Sequence, residues 1–277
     1  MKVVKASVLG FCGGVRNAVA KVCRLAEDNP DRNIYVYGEL AHNKFVMDHI
    51  RDLGVKVIHS TDDVPEGDTV VLRAHGVPDK DREEFLRRGV IVEDATCPNV
   101  LRNQAAARTS EKSLLILGYD GHSEVRAIVG ATAGQEYRIV SSIEDLDDLD
   151  LKKEYDIIVQ TTFESHIFDS IIARLDENKV KYNIRTNICL ASSMRRRAVR
   201  AFKDKGVECI VVIGDSKSAN SNALYEEAKA TGIPSFFVTG AEEVDDSFSR
   251  FSSAGVSAGS STPDVVIDEV VRRLEDL

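Results

Sequence analysis

Residues 10–21 read GFCGGVRNAVAK, a glycine-rich turn with a cysteine, Cys12, at its tip. The apolar run before the turn predicts a β-strand, and the valines that follow at helical spacing, Val15, Val19 and Val22, predict an α-helix. A glycine-rich turn between a strand and a helix commonly binds phosphate through free backbone N–H groups. Because a thiol occupies this turn, the function of Cys12 is the first question that the sequence raises.

The same pattern of an extended run, a cysteine in a turn and a helix occurs three times. DATCPNV surrounds Cys97 and NICLASS surrounds Cys189; the three cysteines are 85 and 92 residues apart, and 88 residues follow the last one. Glycine, proline and serine, which are common at helix starts, follow the three cysteines. We therefore expect three α/β units, residues 1–96, 97–188 and 189–277, in a pseudo-threefold arrangement.

Twelve short apolar segments alternate with helical patterns along the 277 residues, which predicts an α/β fold with mainly parallel sheets. One open sheet rarely carries twelve strands, so several small sheets are expected. The predicted strands are VVKASVLG, NIYVYG, VKVIHS, DTVVLRA, VIVEDA, SLLILG, YRIVSS, DIIVQT, KYNIR, CIVVIG, PSFFVTG and SAGVSAG.

The composition narrows the class of protein. With a net charge of −9 and no sustained basic stripe, nucleic-acid binding is not expected. No apolar run approaches the roughly 20 residues of a membrane span, and the N-terminus does not resemble a secretory signal, so a cytoplasmic protein is expected. Five cysteines without a Cys-x-x-Cys pair do not suggest a disulfide framework. Cys23 and Cys209 lie in apolar helix and strand patterns, where they are expected to pack as small hydrophobic residues.

Residues capable of chemistry follow the predicted strands. In open parallel α/β sheets, ligands bind beyond the carboxyl ends of the strands. The residues at or near these positions are Cys12, His42, His75, Cys97, His122, Glu124, Thr161, Cys189, Ser218, Asn220 and Ser261. Taken singly, each polar residue here could be an ordinary helix cap or loop residue. Three cysteines at equivalent positions are harder to explain in that way.

Three thiolates that converge at helix N-termini would repel one another unless a cation lay between them. A zinc ion with three thiolates and a water fits this requirement, and so does a [4Fe–4S] cluster with one open iron. The neutral His, Ser, Thr and Asn side chains suit an anionic phosphate group. Glu124, next but one to His122, is the natural proton donor.

Nine short motifs occur in a fixed order along residues 10 to 264. They are FCGGV, AHNK, AHGV, DATCP, GHSEV, QTT, NIC, SxNSN and SAGSSTPD. With these motifs the chain resembles the family of 4-hydroxy-3-methylbut-2-enyl diphosphate reductases, the terminal enzymes of the non-mevalonate isoprenoid pathway. The resemblance implies a trefoil of three α/β units around a central iron–sulfur cluster.

The resemblance also implies roles for individual residues. Cys12, Cys97 and Cys189 would hold a [4Fe–4S] cluster with one open iron site. Glu124 would be the proton donor, with His122 and Thr161 in the catalytic relay. The implied substrate-binding residues are His42, His75, His122, Thr161, Ser218, Asn220 and Ser261. The implied reaction is a two-electron reductive dehydroxylation that yields isopentenyl and dimethylallyl diphosphate, with ferredoxin or flavodoxin as the electron donor.

The chain departs from the usual family pattern at four positions. Ser123 stands where proline is common and Ala219 where a serine or glycine is usual, while Ser192 and Arg197 replace a threonine and a glutamine. Two other functions are compatible with the residues alone. One is a zinc hydrolase or lyase that uses the same thiolates, and the other is a diphosphate-binding module without turnover.

Overall fold

The computed structural model describes residues 1–277 and contains twelve β-strands and ten α-helices. All twelve predicted strands are present, and they form three separate four-stranded sheets in which every pairing is parallel. The predicted α/β class with several small parallel sheets is thereby confirmed. None of the helices combines the length and the apolar character that a bilayer crossing requires.

The chain divides into two compact units, and the first consists of residues 1–20, 39–53 and 190–277. Its sheet has the order β1 (Lys2–Lys5), β12 (Ser253–Ala258), β10 (Cys209–Ile213) and β11 (Ser235–Val238). Its helices are the first part of α1 (Gly13–Asp28), α2 (Lys44–Asp52), α7 (Leu190–Arg200), α8 (Phe202–Lys205), α9 (Ala219–Lys229) and α10 (Asp264–Glu275).

The central strands of this sheet are buried on both faces. In β10, Val211 packs with α10 residues such as Leu274 in one apolar cluster, while its neighbour Val212 packs with Phe202 and Leu224 in another. Successive side chains of a strand point to opposite faces, so a strand covered on both sides reads as a continuous apolar run. This explains why CIVVIG shows no alternation of polar and apolar residues.

The second unit consists of residues 21–38 and 54–189 and contains two sheets. One has the order β3 (Lys56–Ile58), β2 (Ile34–Tyr37), β4 (Thr69–Leu72) and β5 (Ile91–Asp94); the other has the order β7 (Tyr137–Val140), β6 (Ser113–Leu117), β8 (Glu154–Val159) and β9 (Lys181–Ile184). Their helices are α3 (Asp79–Arg87), α4 (Pro98–Arg108), α5 (Ser123–Val129) and α6 (Ser165–Glu177). Along β6, Leu115 and Leu117 pack into one apolar cluster. Leu114 and Ile116, which alternate with them, pack into another cluster on the opposite face of the sheet.

The first strand has a partner that local sequence patterns do not reveal. β1 pairs with β12, with Lys2 opposite Ser253 and Lys5 opposite Val256, so the N-terminal strand completes the sheet formed by the last part of the chain. The apolar pattern of a strand specifies that it is buried but not which strand it joins. The division into residues 1–96, 97–188 and 189–277, and the pseudo-threefold arrangement, stay predictions.

Candidate active site

The turn around Cys12 is fixed by contacts within the first unit. The Cys12 N–H donates to the Ser260 carbonyl at 3.1 Å, and the Val15 N–H donates to Cys12 Sγ at 3.4 Å. Gly10 adopts a φ of 71°, which favours glycine, and the buried guanidinium of Arg195 donates to its carbonyl at 2.6 Å. The turn is therefore held through its backbone, and the thiol at the start of α1 stays partly exposed.

Cys97 and Cys189 belong to the second unit. Cys97 is the N-cap residue of α4, and its N–H donates to the Ala74 carbonyl at 3.0 Å. Cys189 immediately precedes α7, and its N–H donates to the Thr161 carbonyl at 2.8 Å. Each cysteine thus follows a strand and precedes a helix, as the repeated sequence pattern predicts, and each is anchored by its backbone to a neighbouring strand end.

Asn99, which no sequence motif marks as a site residue, contacts one of these thiols. Its Nδ2 donates to Cys189 Sγ at 3.2 Å. Arg102 donates to Asn99 Oδ1 at 3.0 Å, which fixes the orientation of the amide so that its NH₂ group faces the sulfur. An amide donor of this kind stabilises a thiolate more than a thiol. In the sequence, Asn99 is a polar residue in the first turn of a helix, a position that carries no specific signal.

The five thiols differ in their suitability as metal ligands. Burial raises the pKa of Cys209 to about 11, and burial together with the charge of Glu27 raises the pKa of Cys23. Cys12, Cys97 and Cys189 instead lie at helix N-termini and are partly exposed. Thiolates suit zinc and iron–sulfur clusters, so these three residues fit such a group chemically. Neither unit by itself brings three metal-binding side chains together.

Glu124 is a buried acid surrounded by uncharged donors. The side chain, in the first turn of α5, is 1% exposed. The Thr161 N–H and Asn103 Nδ2 donate to Oε1 at 2.8 and 3.0 Å, and the Thr161 hydroxyl donates to Oε2 at 2.7 Å. Burial raises the pKa of Glu124 to about 7, while these three hydrogen bonds act in the opposite direction. The carboxyl is therefore able to hold a proton near neutral pH and to release it.

His122 is the N-cap residue of α5. Its Nδ1 accepts from the Glu124 N–H at 3.2 Å, so the proton of the neutral imidazole lies on Nε2. The ring of His75 meets the ring of His122 edge to face, with 6.1 Å between the centroids. The second unit thus brings together four of the predicted site residues: Glu124, Thr161, His122 and His75.

The predicted residues of the first unit form a second group. Ser218 is the N-cap residue of α9, its hydroxyl accepting from the Ser221 N–H at 3.3 Å. Asn220 Oδ1 accepts from the Ser260 N–H at 2.9 Å, and Ser260 in turn contacts Cys12. The Ser261 hydroxyl donates to the carbonyl of His42 at 3.1 Å, while His42 Nδ1 lies 3.0 Å from Glu39 Oε2.

The residues that depart from the family pattern occupy helix starts and helix faces. Ser123 and Ala219 are the first residues of α5 and α9, directly after the caps His122 and Ser218. Ser192 is buried in α7, where its hydroxyl lies 3.5 Å from Asn220 Nδ2. Arg197 lies on the exposed face of the same helix. The substitutions therefore leave the contacts of Glu124 and Cys12 intact.

Comparison with known proteins identifies the family. The family model described as LytB protein matches residues 3–275. The chain belongs to the LytB protein family. The 4-hydroxy-3-methylbut-2-enyl diphosphate reductase of Actinobacillus pleuropneumoniae serotype 5b (strain L20) is 34% identical over 287 residues, which cover 100% of this chain and 91% of that protein. The reductase of the same name from Treponema denticola is 34% identical over 288 residues and covers 99% of both chains.

Two solved structures have the same fold as this chain. The structure of the E-1-hydroxy-2-methyl-but-2-enyl-4-diphosphate reductase from Plasmodium falciparum has a TM-score of 0.89 over 98% of this chain and 87% of that chain; at 24% identity it supports the fold alone. A structure of (E)-4-hydroxy-3-methyl-but-2-enyl diphosphate reductase, described as the terminal enzyme of the non-mevalonate pathway, has a TM-score of 0.76 at 28% identity over both complete chains. The family predicted from nine short motifs is thereby confirmed.

Proposed function

We propose that this LytB-family protein is a 4-hydroxy-3-methylbut-2-enyl diphosphate reductase that forms isopentenyl and dimethylallyl diphosphate. The observation that carries the proposal is the burial of the Glu124 carboxyl among uncharged donors, which raises its pKa to about 7. An acid whose pKa lies near the working pH is an efficient general acid. The names of the LytB-family relatives support the same reaction.

The chemistry of the reaction needs an acid in this form. Replacement of a hydroxyl group by hydrogen breaks a C–O bond, forms a C–H bond and consumes two electrons and two protons, with water as the second product. We assign the proton that turns the hydroxyl into water to Glu124. The Thr161 hydroxyl, 2.7 Å from Oε2, extends the reach of the acid. His122, with its proton on Nε2, supplies a further neutral donor.

We assign Cys12, Cys97 and Cys189 as the ligands of a [4Fe–4S] cluster with one iron free of protein ligands. The support is their common position at helix N-termini and the sulfur-directed donors of Val15 and Asn99. When bound, such a cluster supplies single electrons and a Lewis-acidic iron. Ferredoxin or flavodoxin is the proposed electron donor and the cytoplasm the proposed compartment, both on the family resemblance.

For the diphosphate group we propose polar hydrogen-bonding side chains as ligands. These are His42, His75, His122, Thr161, Ser218, Asn220 and Ser261. Hydroxyl, amide and imidazole groups can donate hydrogen bonds to the oxygens of an anionic phosphate group.

The proposal is tested by anaerobic purification followed by visible spectroscopy, iron and zinc counts, and turnover of 4-hydroxy-3-methylbut-2-enyl diphosphate with a dithionite-reduced viologen dye. We expect a brown protein with about four irons per chain, as a [4Fe–4S] cluster requires, and formation of both products. A colourless protein that contains zinc would instead indicate the hydrolase or lyase. Diphosphate binding without turnover in the iron-loaded protein would indicate a binding module.

Two substitutions and a control locate the chemistry. We expect C97S to lose iron and turnover together, and E124Q to keep its iron while turnover falls by roughly 10²–10⁴-fold, the usual contribution of a general acid. C23S is the control, because Cys23 has a raised pKa and does not lie at a helix start. Normal turnover by iron-loaded E124Q would show that Glu124 is not the proton donor.

A further inference from the structure

Asn103 makes a buried contact with Glu124 that the LytB-family motifs do not include. The residue lies in α4 and is 2% exposed. Its Nδ2 donates to Glu124 Oε1 at 3.0 Å and to the Val159 carbonyl at 2.9 Å. Both partners are acceptors, so the amide NH₂ group faces them and both of its protons are used. Asn103 therefore ties the carboxyl of α5 to the end of β8.

The two oxygens of Glu124 are bonded in different ways. Oε1 receives the Thr161 backbone N–H and the Asn103 amide, which are donors that cannot accept a proton. Oε2 meets the Thr161 hydroxyl, which is able to donate or to accept. If the proton were on Oε1, the resulting O–H group would face two N–H donors and no acceptor. A proton on Oε2 instead has the Thr161 hydroxyl oxygen as an acceptor at 2.7 Å.

We propose that Asn103 is a positioning residue that fixes the acidic proton of Glu124 on Oε2, facing the Thr161 hydroxyl. The inference rests on the proposed role of Glu124 as proton donor. When Oε2–H gives its proton to Thr161 Oγ1, the hydroxyl releases its own proton to the leaving group. The hydroxyl then donates to the new carboxylate, whose negative charge is also stabilised by the two N–H groups on Oε1. Two O–H bonds break and two form, so that one proton passes in sum from Oε2 to the oxygen of the leaving group.

The charged side chains of the surrounding elements have partners elsewhere or are exposed. On α4, Arg102 is bonded to Asn99 and Arg108 to Asp79; on β8, Asp156 is bonded to Arg185; on α5 itself, Arg126 is exposed. The titratable group hydrogen-bonded closest to the carboxyl is His122, through the Glu124 N–H. A shift of the Glu124 titration in an Asn103 variant is therefore attributable to the lost amide.

Gln104 provides a matched control. It follows Asn103 on α4, is 4% exposed, and its Nε2 donates to the carbonyls of Val77 at 2.9 Å and Ala127 at 3.3 Å. It is a buried amide with two acceptors that does not contact Glu124. Q104L thus removes the same kind of hydrogen bonding from the same helix, and a purely structural effect would appear equally in N103L and Q104L.

The test compares pH profiles of kcat and KM for the iron-loaded wild type, N103L, N103D and Q104L. A general acid loses activity as the pH rises through its pKa. Loss of a donor to the carboxylate in N103L, or a second carboxylate in N103D, raises the pKa of Glu124. In both variants we expect the alkaline limb of the kcat profile to shift to higher pH by at least about half a pH unit. The kcat of N103L should fall by about 10-fold or more with little change in KM, and the limb of Q104L should stay in place.

A second measurement does not depend on turnover. Infrared titration of the protein labelled with ¹³C in glutamate carboxyls should show a protonated band that is missing in E124Q and titrates near pH 7 in the wild type. The midpoint of this band should rise in N103L and N103D. Unchanged midpoints in both variants would overturn the role of Asn103. Full turnover by E124Q would overturn the proposed function instead, even if the infrared midpoints moved as expected.

Discussion

At the scale of single residues, Glu124 shows how neutral surroundings control an acid. Its hydrogen-bond donors are a backbone N–H, a hydroxyl and an amide, and burial outweighs their effect on the pKa. No opposite charge stabilises the carboxylate through these bonds. Because the native state holds the proton up to about pH 7, the same feature that suits proton donation also makes the stability of the fold depend on pH.

Glu124 should therefore lower the stability of the protein as the pH rises. Its pKa of about 7 in the native state exceeds the ordinary 4.5 of an unfolded glutamate, so stabilisation is complete below about pH 4.5 and is lost as the pH rises toward 7. Between pH 5 and 7.5 we expect the wild type to lose about 2 kcal/mol that E124Q does not lose. Urea unfolding at both pH values measures this difference. An equal change in the free energy of unfolding of the two proteins would contradict the prediction.

Asn99 should influence the proposed cluster through Cys189. Its amide donates to Sγ at 3.2 Å, and donors to a ligand sulfur stabilise the more negative, reduced state of a cluster. We expect N99L to bind iron normally and to have a more negative reduction potential than the wild type. R102L, which frees the Asn99 amide without removing it, should shift the potential less. Dye-mediated redox titration, followed by electron paramagnetic resonance, measures the potentials of both variants. Equal potentials in N99L and the wild type would show that Asn99 does not influence the cluster.

At the scale of elements, α9 carries Ser218 and Asn220 and depends on two glycines for its position. A Cβ on Gly214 or on Gly259 would overlap the hydroxyl of Ser221, in the first turn of α9. These glycines immediately follow β10 and β12, so the helix start lies directly against the ends of these strands. Ser221 Oγ is fully buried and has no hydrogen-bond partner. Because these two glycines have no side chain, the start of α9 can lie close to the sheet.

G259A should destabilise the fold and disturb α9. We expect a loss of about 1–3 kcal/mol, the usual cost of overpacking, and a raised KM because the start of α9 carries proposed diphosphate ligands. S221A alone should be close to neutral, because its hydroxyl has no partner. The double variant should recover at least about 1 kcal/mol, since the two residues touch. Urea unfolding of the four proteins gives the coupling energy, and strictly additive effects would show that the two groups do not compete for space.

Sequence patterns predicted the elements better than the contacts between them. The twelve strands were readable because buried parallel strands are short apolar runs between helical patterns, and the strand-end positions of Cys97 and Cys189 followed from the same pattern. Asn99 and Asn103 were not predicted, because a polar residue in a helix usually faces solvent. Their importance depends on Cys189 and Glu124, which are distant in the sequence. The partner of β1 was missed for the same reason.

At the scale of the whole molecule, units that are compact in space are discontinuous in sequence. The first unit combines residues 1–20, 39–53 and 190–277, and its sheet depends on the pairing of β1 with β12. Pairing of strands so far apart in the chain has a large loop-closure cost. The N-terminal strand is therefore expected to lose its structure together with the C-terminal part of the chain.

V256D should reveal this connection. Val256 is fully buried in β12 between β1 and β10, and an aspartate there would cost several kcal/mol. In hydrogen-exchange mass spectrometry we expect residues 2–5 to lose protection together with residues 209–213, while β4 and β6 of the second unit keep theirs. The exposed substitution E269Q in α10 is the control. Retained protection of residues 2–5 in V256D would contradict the common unfolding of the two chain ends.

The Ser260 peptide uses both of its polar groups, as its carbonyl accepts from the Cys12 N–H and its N–H donates to Asn220 Oδ1. This has a consequence for evolution. A mutation in the loop 259–262 that displaces the Ser260 peptide should also displace the turn that carries Cys12, because the two are hydrogen-bonded. The proposed diphosphate ligands Asn220 and Ser261 and the thiol turn thus depend on one loop, and natural variation at Ser260 should be limited to residues that keep both backbone bonds.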